Sequence, residues 1–395
     1  MKVALAFSGG LDTSVCLRIL QEEYDADVVT VAGDVGQDPA KLKEIEEKAQ
    51  DLGAIEHYGI SLTEEFIEDY VFPSIKANGN YEGYPLSTAL ARYPVAAKLV
   101  EIAQKENCTA VAHGCTGKGN DQFRFDTTIS LKGPDLEIIA PVREKNLDRD
   151  WEIQYAEEND IPVPVDVDEP YSVDENVWGR SIEGGDLEDP KNEPPEKIYE
   201  LTRSPSEAPD ESRTLEVDFE EGVPVALNGE KKEGYSIIED LNRMAGEYGV
   251  GRIDIIEDRS LGLKSRENYE APAAVTLTMA HQALEQLVLT RDEIKFKNGV
   301  DQIWSDLVYR GLWFDPLRED LDAFVDKTQE RVTGKVRIKL EPGNARIVSR
   351  ESPYSLHEPE LVSFKEYGFD QRESTGAIKF QALQGKSYWK KRKDR

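Results

Sequence analysis

An α/β chain whose first domain is a doubly wound parallel sheet, followed by an α+β domain and a C-terminal helical arm, is the fold class that the sequence predicts. Three observations carry it. Short apolar runs with little or no charge alternate with amphipathic helical stretches up to about residue 142, the rhythm of parallel strands joined by helical crossovers. The rhythm breaks at Ile161, Pro162, Val163, Pro164 and Val165, a proline-rich stretch of the kind that bounds domains. Beyond it, residues 214–219 and 223–227 flank Glu220, Glu221 and Gly222 as in an antiparallel hairpin.

Taken in order, residues 3–7 (VALAF) are too short for a helix and uncharged, as expected of a strand buried on both faces. Val15, Leu17, Ile19 and Leu20 with Arg18, Gln21, Glu22 and Glu23 describe an amphipathic helix opened by capping residues. A strand at 27–33 ends at Asp34, and helix 39–52 gathers Leu42, Ile45 and Ala49 on one face. A shorter strand at 55–60, a helix around 64–70 and a glycine and tyrosine stretch at 78–85 follow. Ser87 caps a helix running to about 104, which feeds strand 109–113, and the strand at 136–142 completes the sheet. The second domain adds helices near 237–248, 273–289 and 316–329 and strands at 335–340 and 345–350. Near the C-terminus Ile378, Phe380, Leu383, Tyr388 and Trp389 precede Lys390, Lys391, Arg392 and Lys393, an amphipathic arm that packs on a neighbouring molecule and ends in a solvated basic tail. The expected domains are 1–166, 167–370 and 371–395, since 395 residues exceed one ordinary core.

Composition narrows the function. There are 78 acidic and 48 basic residues, a formal charge of −30 spread over the whole chain. Such a surface repels nucleic acid, whose binding rests on many Lys and Arg contacts to phosphate. It suits a high-salt cytoplasm, where ions screen repulsion among carboxylates. No stretch of about twenty apolar residues is present, and the first residues enter a strand at once, so neither a membrane span nor a cleavable signal is expected. Cys16, Cys108 and Cys115 lack paired ligand spacing, which argues against disulfides or zinc and for a reducing, cytosolic setting.

The chemistry is concentrated at Ala6, Phe7, Ser8, Gly9, Gly10, Leu11, Asp12, Thr13 and Ser14, a turn wedged between strand and helix. The first amides of a helix lack intrahelical partners and sit at the positive end of its dipole, so an anion binds there. Gly9 and Gly10 let the backbone approach it, and Ser8, Thr13 and Ser14 offer hydroxyls. The segment has neither the lysine and spacing of a Walker A loop nor the GxGxxG pattern. A second segment, HGCTGKGNDQFRF at 113–125, also follows a buried strand and packs glycines beside Lys118, Asn120, Asp121 and Arg124. Lys118 supplies charge to a phosphate, and Arg124 has the fork geometry that grips a carboxylate.

The loop at 6–14 resembles the SGGxD(S/T) pyrophosphate loop of the N-type ATP pyrophosphatases. Taken with YPLSTALAR at 84–92, residues 113–125, YSVDEN at 171–176, GVGRIDIIE at 249–257 and KSRENYE at 264–270, it is similar in order and spacing to the argininosuccinate synthases, and Pro190, Lys191, Asn192 and 350–353 fit as well. That resemblance implies an enzyme that joins citrulline to aspartate with ATP and Mg2+, forming argininosuccinate, AMP and pyrophosphate through a citrullyl-adenylate in arginine biosynthesis. It also implies a homotetramer with a C-terminal helix exchanged between subunits. Carried over residue by residue, it assigns ATP to residues 6–14, Gly33 and Gly114. Aspartate falls to Thr116, Asn120 and Asp121, and citrulline to Tyr84, Asn120, Arg124, Ser172, Ser181, Glu257 and Tyr269. Asp12, Lys118 and Asp121 are the catalytic candidates, the last as proton acceptor for the aspartate ammonium; ligands to the metal remain unassigned. The family often has alanine where Gly33 stands and serine where Ala89 stands. His57, His113, His281 and His357 show no ligand spacing. The competing readings are another ATP pyrophosphatase, such as a tRNA-thiolating enzyme, an amidotransferase-coupled synthetase or NAD synthetase, and a catalytically silent nucleotide-binding regulator of the same fold.

Overall fold

Lys2–Ala6 forms β1, the central strand of a parallel sheet, in a computed structural model that describes residues 1–36, 39–162, 171–363 and 368–393. The chain continues through α1 (Leu11–Tyr24), β2 (Asp27–Asp34), α2 (Pro39–Asp51) and β3 (Glu56–Ser61). Then come α3 (Thr63–Phe66), a π-helical turn at Ile67–Val71 and α4 (Phe72–Lys76). The sheet is completed by α5 (Ser87–Lys105), β4 (Ala110–Ala112), α6 (Asp121–Lys132) and β5 (Glu137–Ile139), with α7 (Pro141–Glu144) and α8 (Arg149–Glu158) behind. Among the described residues its order is β3-β2-β1-β4-β5, all parallel, so the winding reverses between β1 and β4. Alternate residues of β1 explain the double winding. Val3 and Leu5 join α1 and α8 in one core, whereas Ala4 and Ala6 join α5 and α6 in another.

One departure from the expected elements concerns this half. The 136–142 run is a three-residue strand that turns into α7 at Pro141, whose ring fits the first helical turn. In the 113–125 segment Asp121 opens α6, so Arg124 stands on a helix. The expected boundary at 166/167 lies outside the described residues.

The following strands form two antiparallel sheets. β6 (Tyr171–Asn176) and β7 (Gly179–Gly184) pair with a later hairpin, β11 (Arg252–Asp258) and β12 (Lys264–Glu270), in the order β11-β12-β7-β6. β8 (Arg213–Glu220), β9 (Val223–Leu227) and β10 (Glu230–Lys231) pair with β13 (Gly334–Glu341) and β14 (Asn344–Glu351), in the order β10-β9-β8-β13-β14. α9 (Gly234–Gly246), α10 (Pro272–Val288), α11 (Arg291–Tyr309) and α12 (Pro316–Gln329) share the largest core with α5 and this second sheet. Residues Met1–Tyr354 form one compact unit. Ser355–Arg395 form another, with α13 (Pro359–Val362), α14 (Ser374–Gln381) and α15 (Leu383–Lys393), on which Ile378, Phe380, Leu383, Tyr388 and Trp389 are all exposed. No helix of the described residues is long and apolar enough to cross a membrane.

Candidate active site

At the C-terminal end of β1 the chain turns through residues 7–10. Phe7 is buried, its N–H donating to the Val31 carbonyl at 2.9 Å. Gly9 sits at φ +76, a conformation that side chains rarely adopt. α1 then starts at Leu11 from an extended Gly10, and no side chain caps it. The expectation of a hydroxyl cap is therefore corrected: Ser14 Oγ and Thr13 Oγ1 donate backwards to the Gly10 carbonyl at 2.7 and 3.4 Å. Ser8 Oγ lies 3.3 Å from Thr13 Oγ1. Ser8 Oγ accepts from the Gly10 N–H at 3.4 Å, and the amides of Leu11, Asp12 and Thr13, which no side chain caps, are left for an anion. On the far side, Asp12 abuts Glu152 of α8, which is 4 % exposed. Burial, and after it the Asp12 carboxylate, pushes Glu152 up to about 8.

Two more segments reach the same strand ends. A Cβ on Gly114 would lie 3.3 Å from both Asp12 Cβ and Thr13 Cγ2, so the turn after β4 packs on the first turn of α1. A Cβ on Gly33 would come within 2.8 Å of Leu62 Cδ1 and 3.0 Å of Val95 Cγ2. Core atoms crowd that position, and Gly33 offers a ligand only backbone. From Gly114 the loop runs outward past exposed Thr116 and Lys118 to Asn120, where it meets the β11–β12 turn. Ser260 N–H donates to Asn120 Oδ1 at 3.0 Å, and Arg259 Nη1 to the Lys118 carbonyl at 3.4 Å.

The polar sheet supplies the other wall. Its register places Asp174, Ser181 and Tyr269 in one row, Ser172 beside Glu183, and Glu257 beside Ser265, all on one face. Glu257 is buried there and accepts from Tyr269 Oη at 2.8 Å and Tyr309 Oη at 2.5 Å, one phenol on each carboxylate oxygen. Burial raises this carboxyl, and the two phenols, Arg124 and Arg259 only partly offset it. Tyr309 also accepts from Asn120 Nδ2 at 2.8 Å and stacks on Tyr81, ring centroids 3.7 Å apart. Its carbonyl takes Arg124 Nε at 3.3 Å and Nη2 at 3.0 Å, while Arg124 Nη1 bonds Asp121 Oδ1 at 2.7 Å.

Residues 2–162 match the arginosuccinate synthase N-terminal HUP domain, and residues 171–388 match the arginosuccinate synthase C-terminal domain. The chain belongs to the argininosuccinate synthase family. It is 59 % identical over 389 residues to the argininosuccinate synthase of Methanocaldococcus jannaschii, covering 98 % of each chain. Identity to the Methanococcus maripaludis synthase is 57 % over 97 % of each chain, and to that of Archaeoglobus fulgidus 55 % over 98 % of this chain and 99 % of the relative.

Within this member of the family, Tyr84, Asn120, Arg124, Glu257 and Tyr269 form one connected cluster, whereas Ser172, Thr116 and Lys118 are exposed at its rim. Tyr84 stacks on Tyr269 at 4.1 Å, but its hydroxyl is occupied: it accepts from the Thr88 and Ala89 amides at 2.7 and 3.0 Å. The phenol, rather than Ser87, satisfies the start of α5; Ser87 Oγ is buried without a partner. Burial pushes the Asp121 carboxyl up, but Arg92 and Arg124 outweigh that effect and hold it below its ordinary value. Arg92 donates from Nε to Asp121 Oδ2 at 2.7 Å and from Nη2 to Asp174, tying α6 to β6. Arg124 spends three N–H groups inside the protein, leaving one on each terminal nitrogen for a ligand.

Arg92 lay within the matched segment at 84–92 and carried that signal unread. Tyr309 had none: it lies outside the short segments at 6–14, 84–92, 113–125, 171–176, 249–257 and 264–270, at the end of a helix absent from the expected elements. For Mg2+, the described residues hold no cluster of three or more acid, thiol or imidazole groups. The acidic residue in the first turn of α1 is Asp12.

Proposed function

We infer that the chain catalyses the ATP-dependent ligation of citrulline to aspartate in arginine biosynthesis, through a citrullyl-adenylate, with release of AMP and pyrophosphate. One observation carries the site assignment: the loop at 113–120 packs at one end on the uncapped start of α1 and bonds at the other to the cluster around Glu257 and Tyr309. A nucleotide on the first and an amino acid on the second become neighbours. Residues 6–14, Gly33 and Gly114 take ATP in this reading. Tyr84, Asn120, Arg124, Ser172, Ser181, Glu257 and Tyr269 take citrulline, whose ammonium pairs with Glu257 and whose carboxylate meets the two remaining Arg124 N–H groups. Thr116, Asn120 and Asp121 take aspartate.

The ureido oxygen then attacks the α-phosphorus, forming a C–O–P bond as the bond to the β-phosphate oxygen breaks, and pyrophosphate leaves into the first-turn amides of α1. The aspartate ammonium passes a proton to Asp121 and on to solvent, the amine attacks the activated ureido carbon to form the C–N bond, and the C–O bond breaks with its electron pair leaving on AMP. No protein nucleophile is involved; the barrier falls through alignment and through amide dipoles aimed at the leaving group. Mg2+ supplies further neutralisation of phosphate charge when bound. Asp12 orients the loop, and Lys118 adds a flexible cation at the rim.

The same reading extends to the remainder of the chain. It divides the chain into domains at 1–166 and 167–370 with an arm at 371–395; the exposed aromatic residues of α14 and α15 support a homotetramer built through that arm, and the charge of −30 supports a cytoplasmic setting of high salt. Purified protein given ATP and Mg2+ should release pyrophosphate only when citrulline is present, and argininosuccinate only when aspartate is added. Pyrophosphate release that ignores citrulline, or nucleotide binding without turnover, overturns the assignment.

A further inference from the structure

The turn between β1 and α1 contains no lysine, so its own positive potential comes only from peptide dipoles. A cation reaches it from another element. Lys48, in the last turn of α2, donates from Nζ to the Gly9 carbonyl at 2.5 Å. The helix packs directly on the turn: a Cβ on Gly9 would lie 3.3 Å from Ile45 Cγ1 and 3.9 Å from Lys48 Cδ.

The surroundings of this ammonium are unusual for the chain. With 78 acidic residues against 48 basic ones, an exposed lysine here readily finds a carboxylate, and neighbouring Lys43 pairs with Glu47 at 3.6 Å. Lys48 has no carboxylate within 4.0 Å among the described residues. Burial lowers its pKa, and no acid counters that effect. Among the described residues only one of its three N–H groups finds an acceptor. A half-buried cation with two free donors, held against a turn whose helix amides also point outward, is matched to a polyanion rather than to the protein's own acids.

We propose that Lys48 is the cation of the phosphate loop, pairing with the β- and γ-phosphates of bound ATP and holding the pyrophosphate that leaves. This rests on the reading of residues 6–14 as the pyrophosphate site and adds a residue that the loop pattern does not contain. As the bond from the α-phosphorus to its bridging oxygen breaks, the electron pair stays on that oxygen, and the new charge spreads over the pyrophosphate beside the ammonium. The Gly9 carbonyl fixes where the ammonium waits.

The test compares wild type, Lys48→Met and Lys48→Arg, each checked by thermal unfolding, for kcat, for the KM of citrulline and for product inhibition by inorganic pyrophosphate and by AMP. In Lys48→Met, pyrophosphate inhibition should weaken by about 10- to 100-fold and kcat should fall by a similar factor, while AMP inhibition and citrulline KM stay within about threefold. Lys48→Arg, which keeps the charge, should recover most of the pyrophosphate affinity. Pyrophosphate inhibition unchanged within about threefold in folded Lys48→Met overturns the proposal, as does equal weakening of AMP, citrulline and pyrophosphate, the outcome for a mere strut under Gly9. If Lys48→Met does not fold, calorimetric titration of inorganic pyrophosphate into Lys48→Gln decides by the same criterion. A wild-type protein that pyrophosphate does not inhibit would instead sink the assignment of the loop itself, whatever the variants do.

Discussion

Tyr309→Phe removes one oxygen and leaves the rest of the residue in place. The ring stays stacked on Tyr81, and the carbonyl still accepts from Arg124. Two contacts are lost: the donor 2.5 Å from Glu257 Oε1 and the acceptor 2.8 Å from Asn120 Nδ2. A hydrogen bond to a charged group contributes about 1.5–3 kcal/mol and a neutral one about 0.5–1.5 kcal/mol. At 1 % exposure of Tyr309, water cannot readily replace either. Stability should fall by roughly 2–4 kcal/mol. The effect on the reaction is separable. Burial already raises the Glu257 carboxyl, and the Tyr309 phenol is the largest influence opposing that rise, so its loss sends the carboxyl higher and weakens its hold on a ligand ammonium. We expect the citrulline KM to rise about 10- to 100-fold and the ATP KM to stay within about threefold. The assay is citrulline-dependent pyrophosphate release at saturating ATP and aspartate, with thermal unfolding on the same preparation. A citrulline KM within about threefold of wild type would show that Glu257 does not depend on this phenol.

Four further outcomes can be checked. Lys297, 1 % exposed, bonds both Asp301 oxygens at 2.9 Å, Glu285 at 3.0 Å and the Lys76 carbonyl at 2.7 Å; Lys297→Met strands two buried acids and should cost about 3–5 kcal/mol in urea unfolding, and a loss below about 1 kcal/mol would contradict this. Gly9→Ala places a side chain at φ +76 and 3.3 Å from Ile45; the ATP KM should rise several-fold, roughly tenfold at most, and an unchanged KM would mean that the turn tolerates the strain. Burial, then Glu183, pushes Glu267 up to about 8 from 4.5. The folded state therefore binds this proton more tightly than the unfolded one, so its stabilisation is complete below about 4.5 and is lost as pH rises through about 8. Wild type should lose stability relative to Glu267→Gln across that window, and a pH-independent difference between the two would refute the assignment. Finally, at a formal charge of −30, dialysis from molar salt into dilute buffer should lower the unfolding temperature; full structure and activity in dilute buffer would count against a high-salt setting.

The parallel sheet was legible because its strands are buried on both faces. Val3, Ala4, Leu5 and Ala6 serve two cores at once, so no polar residue interrupts the run. The elements that line the site failed the same test. Lys264–Glu270 reads KSRENYE and is a strand all the same: on one of its faces Tyr269 joins the apolar core, while Ser265 bonds Glu267 and Glu267 accepts from Arg259. α6 opens with Asp121, whose carboxylate is held by arginines from its own helix and from α5, so the polar density there is a packed ion network on a helix. Residues that meet a ligand occupy the positions from which periodicity is read, so the pattern fades where function is densest.

The two site residues that no local pattern announced, Lys48 and Tyr309, show the other limit. Each acts at a distance in sequence, 39 residues from Gly9 and 52 from Glu257, and each arrives at the end of a helix whose internal composition is ordinary. A motif records the residues that neighbour one another along the chain around a ligand. It is silent about a side chain delivered by packing, because that delivery depends on how α2 lies on the β1–α1 turn and how α11 meets the β11–β12 hairpin. If Tyr309→Phe and Lys48→Met separate citrulline from pyrophosphate in the way argued, the two ends of the 113–120 loop serve different substrates. The distance-spanning residues then hold the specificity that the matched segments could not reveal. If both variants impair both ligands alike, the loop transmits strain between the sites, and the assignments at its two ends fall together.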